Sequence, residues 1–216
     1  MAKQEHILII GAGLCGSLLA LRMAQRGYKI TLMEKRPDLR AVHQDAGRSI
    51  NLALSDRGLK GISLVGLEDR VKDLCIPMNG RMLHDKESNT LFSPYSGRTD
   101  EYINSISRTD LNIMLLNAAD EYDTLQVHFN QACTNVDLKN ATATFTDYHT
   151  KEEQTITADI ILGADGAGSA VRKNMHMSRD FLFSFSQEYL GTHLPSCRKW
   201  RLPYRKKCLT HLATWS

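Results

Sequence analysis

Gly11-Ala12-Gly13-Leu14-Cys15-Gly16 stands between two stretches of different periodicity, and that placement constrains the chain more than any other feature. His6–Ile10 is a short apolar run and reads as a buried strand. Leu14–Arg26 carries apolar residues at Leu14, Leu18, Leu21 and Ala24, and reads as a helix stopped by Gly27. Lys29–Met33 reads as a second strand. Strand, helix and strand within about thirty residues form a βαβ unit, which implies parallel strands and a right-handed crossover. Each glycine then has a physical task. Gly11 permits the tight turn, Gly13 lets a pyrophosphate approach the backbone, and Gly16 lets the helix pack close to the strand. The helix N-terminus offers unpaired N–H groups and the positive end of its dipole. Glu34 closes the second strand 18 residues beyond Gly16. There a carboxylate can accept both hydroxyls of an adenosine ribose, and it would repel a 2′-phosphate. The pattern is that of a dinucleotide site that disfavours NADP; by itself it does not separate FAD from NAD.

Downstream, Asp56–Val65 and Arg108–Tyr122 read as helices, with Thr109 and Asp110 suited to the start of the second. Leu125–Phe129, Ala132–Leu138, Ala141–Phe145 and Gln154–Thr157 read as short strands joined by polar turns, a small antiparallel meander. Ala158–Leu162 is a third buried strand, running into Gly163-Ala164-Asp165-Gly166. The expected fold class is α/β, a Rossmann-like domain with its βαβ unit and a meander. No apolar stretch approaches the roughly 18–20 residues of a membrane span, and the first residues contain no apolar core of a secretory signal. Five cysteines (15, 75, 133, 197 and 208) without close pairing argue against a disulfide framework and a zinc site. A reducing cytoplasmic location is expected.

Gly163-Ala164-Asp165-Gly166-Ala167-Gly168-Ser169-Ala170-Val171-Arg172 resembles the Asp-Gly motif of FAD-dependent aromatic-ring hydroxylases. On its residues alone it is equally a strand-to-helix turn capped by Asp165. Four further segments resemble the kynurenine monooxygenase family in order and spacing. They are Gly47-Arg48-Ser49-Ile50-Asn51-Leu52-Ala53-Leu54-Ser55, then Ile76-Pro77-Met78-Asn79-Gly80-Arg81-Met82-Leu83-His84, then Pro94-Tyr95 followed by Ser105-Ile106-Ser107-Arg108-Thr109-Asp110-Leu111-Asn112, and finally Phe185-Ser186-Gln187-Glu188-Tyr189. The resemblance covers about residues 5–190.

That resemblance implies a Rossmann-like FAD-binding domain over residues 1–175, with part of a substrate-binding β-sheet inserted at about 70–104. An incomplete substrate domain would begin at 176–197. It implies FAD contacts at Cys15, Met33, Glu34, Lys35, Arg36, Ala53, Arg108 and Cys133, beside Gly11, Gly13, Gly16, Asp165 and Gly166. It places Arg81 and Tyr95 on the carboxylate of L-kynurenine. Arg81 has the chemistry for a bidentate pair and Tyr95 for a hydroxyl donor; alone they would read as a surface arginine and a core tyrosine, and Arg108 as a solvated cation. The implied reaction consumes NADPH and O₂ and passes through a flavin C4a-hydroperoxide to 3-hydroxy-L-kynurenine and water, in tryptophan catabolism towards NAD. The cofactor carries that chemistry, so neither a catalytic side chain nor a metal is expected. Nothing around His43 or His84 makes either a base, and Cys15 and Cys133 are expected to serve in packing or through their backbone. Two other readings are a different aromatic-ring hydroxylase, against which Arg81 and the Gly47–Ser55 string speak, and an inactive fragment.

Composition matters at one point. Residues 198–216 hold six of the 27 basic residues, no acidic residue and both tryptophans. Without them 21 basic residues face 24 acidic ones. Arg198–Trp215, written back into allowed codons and read one base on, spells a peptide ending Leu-His-Ile-Trp-Pro-Arg, which resembles the family's continuation. Residues from about 191–198 onward therefore read as out-of-frame translation, which requires family-like sequence in another frame downstream. The alternative is a basic peptide for acidic partners or a membrane surface, although Pro203 interrupts any helix there. No nucleic-acid partner is expected.

Overall fold

Side chains alternate across β1 (His6–Ile10), and that alternation divides the interior in two. Ile7 and Ile9 face one core, Leu8 and Ile10 another. A computed structural model describes residues 4–41, 50–98 and 100–177. His43, Gly47–Ser49, the Phe185–Tyr189 segment, residues 178–197 and the basic tail lie outside the described residues.

After β1 come α1 (Leu14–Gln25) and β2 (Lys29–Met33). Between β2 and the second twelve-residue helix lie β3 (Asn51–Leu54), α2 (Asp56–Ser63), α3 (Glu68–Lys72), β4 (Ile76–Met78), β5 (Gly80–His84), β6 (Thr90–Pro94) and β7 (Ile103–Ser107). The chain continues with α4 (Arg108–Ala119), β8 (Leu125–His128), β9 (Gln131–Asp137), β10 (Thr142–Asp147), β11 (Glu153–Thr157), β12 (Ile160–Gly163) and α5 (Ala170–Met177). A parallel sheet of order β12-β1-β2-β8 forms the centre. Helices α1 and α4 pack together on one face of it, through Ile7, Ile9, Ala20, Ala24, Ile30, Leu32, Leu116 and Ala119. The antiparallel sheet β11-β10-β9 covers the other, through Leu8, Ile10, Met33, Val136, Ala143, Phe145 and Ile161. A third core joins α1 and α4 to β3, β7, α2 and α3 around Leu54, Val71, Ile106 and Leu115.

The α/β class and the βαβ unit match the sequence reading. One element differs. Leu125–Phe129 was expected in the meander, but β8 pairs in parallel with β2, Leu125 against Ile30 and Val127 against Leu32. The cause is non-local: α4 lies over the sheet beside α1 and returns the chain to the open edge of β2. The meander therefore has three strands. The helix starting at Arg108 is capped by Ser107, whose Oγ accepts from the Asp110 N–H, and it ends at Ala119. Among the described residues no helix is long and apolar enough to cross a membrane.

Phe145 is fully buried between the meander and the parallel sheet. Phe145→Ala should therefore cost about 3–5 kcal/mol of stability, read as a lowered urea midpoint.

Candidate functional site

The carboxyl ends of β1, β2 and β12 meet, and there the two glycine-rich segments lie backbone to backbone. Gly11 has φ +104°, and a Cβ on it would stand 2.5 Å from the Ala164 carbonyl oxygen. A Cβ on Gly16 would stand 1.8 Å from the Gly11 carbonyl oxygen. The Gly11 N–H donates to the Met33 carbonyl at 2.7 Å and the Ala164 N–H to the Ile10 carbonyl at 2.7 Å. Gly13 is different: nothing lies within 4 Å of where its Cβ would be. It is the N-cap of α1 and supplies no side-chain cap. The first-turn N–H groups thus border open space at the positive end of a twelve-residue helix. A diphosphate fits that cradle.

Glu34 is buried at the end of β2. Its Oε2 accepts from the Ala12 N–H at 2.8 Å, and its Oε1 from the Arg36 N–H at 3.0 Å and Nε–H at 2.9 Å. Burial pushes the carboxyl up, but the bonds from Arg36 and Ala12 and the Arg36 charge together outweigh it and hold the group below its ordinary value. A carboxylate offers about four acceptor positions, so the three bonds leave room for one ribose hydroxyl rather than the expected two. A second needs half-exposed Arg36 to move aside. Met33 is buried beneath the turn, and Lys35 is exposed.

Asp165 has its backbone against Gly11 and its carboxylate bonded at the start of α5. Its Oδ2 accepts from the Ala170 N–H at 2.6 Å, and its Oδ1 from the Ser169 hydroxyl at 2.6 Å. It caps α5, the plainer of the two roles open to it; exposed Gly166 follows with φ +73°. Cys133 on β9 lies close enough to feel Asp165. Burial first, and that negative charge second, push its thiol up to about 12. Burial also raises Cys15. Both remain protonated thiols, without nucleophilic character. Ala53 is exposed on β3 opposite Ser105, and exposed Arg108 opens α4. One turn later on the same helix face, Asn112 is buried and its Nδ2 donates to the Ala12 carbonyl at 3.1 Å. Sequence reasoning gave Asn112 no role. Its signal was an amide on a helix face otherwise made of Leu111, Leu115, Leu116 and Ala119.

Arg81 and Tyr95 are brought to each other instead. Arg81 pairs with Ser93 in the β5–β6 hairpin, and the Tyr95 N–H donates to the Asn79 carbonyl at 3.0 Å, extending the ladder. The two are diagonal neighbours on one face, with backbones about 7–8 Å apart. Both are exposed, as is His84. The hairpin packs chiefly on itself rather than on the glycine-rich turns. Among the described residues no group of His, Cys, Asp and Glu could hold a metal ion.

A family model described as an FAD binding domain matches residues 4–186. The chain is 43% identical over 184 residues to kynurenine 3-monooxygenase from Anopheles gambiae, covering 85% of this chain and 37% of that protein. It is 38% identical over 190 residues to kynurenine 3-monooxygenase from Myxococcus xanthus (strain DK1622), covering 88% and 40%. It thus spans about two fifths of the length of these relatives. Among solved structures, the flavin-dependent monooxygenase PieE in complex with FAD and substrate has a TM-score of 0.66 at 21% identity, over 81% of this chain and 32% of that one. The tetrameric form of 2-methyl-3-hydroxypyridine-5-carboxylic acid oxygenase has a TM-score of 0.64 at 24% identity, over 81% and 43%. These two likenesses show the fold.

The glycines should separate by experiment. Gly16→Ala should destabilise the chain by about 3 kcal/mol, because the clash is with backbone. Gly13→Ala should cost no more than about 1 kcal/mol yet weaken binding of a dinucleotide; urea melts and ligand titrations read the two effects. Glu34 supplies a pH test. Its folded pKa lies below the ordinary 4.5, so its stabilisation is complete above that value and is lost as pH falls through the folded pKa. The stability gap between the wild type and Glu34→Gln should be flat above pH about 5.5 and close progressively below it.

Proposed function

The chain belongs to the family of FAD binding domains, and from that membership we propose that it is the FAD-holding part of an NADPH- and O₂-dependent monooxygenase that converts L-kynurenine to 3-hydroxy-L-kynurenine. One observation carries the reading. Gly11–Gly16, Glu34 and Gly163–Gly166 meet at the carboxyl edge of one parallel sheet, in a chain 43% and 38% identical to two kynurenine 3-monooxygenases. In open α/β sheets, ligands bind at that edge.

Bound there, FAD supplies the redox chemistry, with NADPH as reductant and O₂ as oxidant. The chain's own residues bind and orient. The first turn of α1 takes the diphosphate, and Glu34 takes a ribose hydroxyl. Arg108 and Ala53 border the site from the β3–β7–α4 side. Cys15 and Cys133, kept as thiols, serve as packing walls. Arg81 makes a bidentate pair with the amino-acid carboxylate of kynurenine and Tyr95 adds a hydroxyl donor, as their shared hairpin face allows. Glu34 disfavours a 2′-phosphate in this turn, so NADPH acts as a co-substrate that docks elsewhere. In this reading residues 1–175 are the FAD-binding unit, with the part inserted at about 70–104 as the start of a substrate-binding sheet.

A second reading, an FAD-binding fragment without hydroxylase activity, is favoured by the exposure of Met82 (54%), Leu91 (66%) and Phe92 (52%) on the hairpin that bears Arg81. One experiment separates the two. The purified chain is loaded with FAD, desalted and given NADPH, O₂ and L-kynurenine. Retained visible flavin absorbance together with 3-hydroxykynurenine by mass spectrometry supports hydroxylation, and Arg81→Met should then lower kcat/KM about 100-fold with flavin retention unchanged. Retained flavin without product assigns the chain to the second reading. Loss of flavin overturns both.

A further inference from the structure

We infer that Asn112 is a positioning residue for the dinucleotide turn: by holding the Ala12 carbonyl from behind, it aims the Gly13 N–H at a phosphate of the bound ligand. This rests on the FAD reading above.

Ala12 is held at both of its backbone polar groups by side chains from other elements. Its N–H donates to Glu34 Oε2 at 2.8 Å. Its carbonyl accepts from Asn112 Nδ2 at 3.1 Å and lies 3.1 Å from the Ser17 hydroxyl. The amide's orientation is fixed by chemistry, because a carbonyl only accepts and must face the NH₂ end. Ser17 Oγ lies 3.4 Å from Asn112 Oδ1, so the hydroxyl sits between the amide and the carbonyl. Ser17 and Asn112 are both buried, where an unpaired amide would be costly.

The planar trans peptide carries this grip forward. The Ala12 carbonyl and the Gly13 N–H belong to one plane and point in opposite directions. A carbonyl drawn inward onto α4 therefore turns the N–H outward. Among the described residues no protein acceptor meets that N–H, and the space before Gly13 is open. The need for a clamp follows from the glycine itself. A residue without Cβ permits close approach of a phosphate, and for the same reason its peptide turns over easily. The flipped peptide would present a carbonyl oxygen to the phosphate. Asn112 blocks that flip from a helix that itself makes no phosphate contact in this assignment.

The test separates phosphate recognition from general support. Calorimetric titrations of the full chain compare FAD, ADP and adenosine, and the Gly13 amide resonance is followed by NMR as ADP is added. Asn112→Leu, close in size but without donor or acceptor, should weaken FAD and ADP about tenfold, equivalent to about 1.4 kcal/mol. Adenosine affinity should be unchanged, and the ADP-induced shift of the Gly13 amide should be lost. If Asn112→Leu does not fold, Ser17→Ala decides the matter, with an expected loss of about threefold for ADP and none for adenosine. Equal losses for ADP and adenosine mean mere structural support and overturn the inference, as does undiminished ADP binding. A wild-type chain that binds no FAD overturns the FAD reading and this inference together. A wild-type chain that binds FAD as well as its Asn112→Leu variant does overturns this inference alone.

Discussion

The Gly11 carbonyl occupies the space in which Gly16 would carry a side chain, and this contact sets how closely α1 approaches β1. Much else depends on that spacing. The residues of α1 fully buried against the sheet are the small Ala20 and Ala24, with Leu19 and Met23 packed at the margin, while Leu21 is directed towards α2, α3 and α4. The same closeness leaves Ala12 between Glu34 and Asn112, within hydrogen-bond reach of both. It also brings Gly163–Asp165 against Gly11, so that segments about 150 residues apart in sequence form one backbone surface. A larger residue at either glycine would separate the layers, not merely reshape a loop.

The central layer was legible in the sequence because its signals are local. Ile7–Ile10 and Ile30–Met33 are buried on both faces and apolar but for Thr31, and the residues between them follow a helical period. Leu125–His128 was misplaced because Leu-Gln-Val-His alternates in the same way whether its partner runs parallel or antiparallel. Which partner it takes is decided by where α4 ends, and no window of a few residues contains that information. The Glu34 position was legible, but not the division of its carboxylate between Ala12 and Arg36, since nothing in the order of residues says that Arg36 folds back onto it. Asp165 shows the reverse: two roles fitted the sequence, and the geometry of Ser169 and Ala170 selects the cap.

Electrostatically, the cofactor edge is made from few charges. Its attraction for an anion comes from N–H groups at the start of α1, which are fixed in direction and need no proton. Glu34 is ionised and already bonded, Asp165 is turned onto α5, and the nearby thiols are neutral. Such a surface has little to reorganise when a diphosphate arrives, because its dipoles are already held by the backbone geometry of the two turns.

The hairpin stands in contrast. Two strands without a covering layer are marginal by themselves, and Met82, Leu83, Leu91 and Phe92 are all exposed on β5 and β6. It joins the rest covalently at both ends, through Asn79 into β4 and through residues 95–102 into β7, and β4 pairs with β7. This ribbon should therefore belong to the least protected part of the chain in amide hydrogen exchange, opening at a small fraction of the free energy needed to open the parallel sheet. Arg81 and Tyr95 ride on it. A ligand held by them would also have to order the strands that carry them, so its apparent affinity would be the intrinsic one scaled by the fraction of time the ribbon is formed.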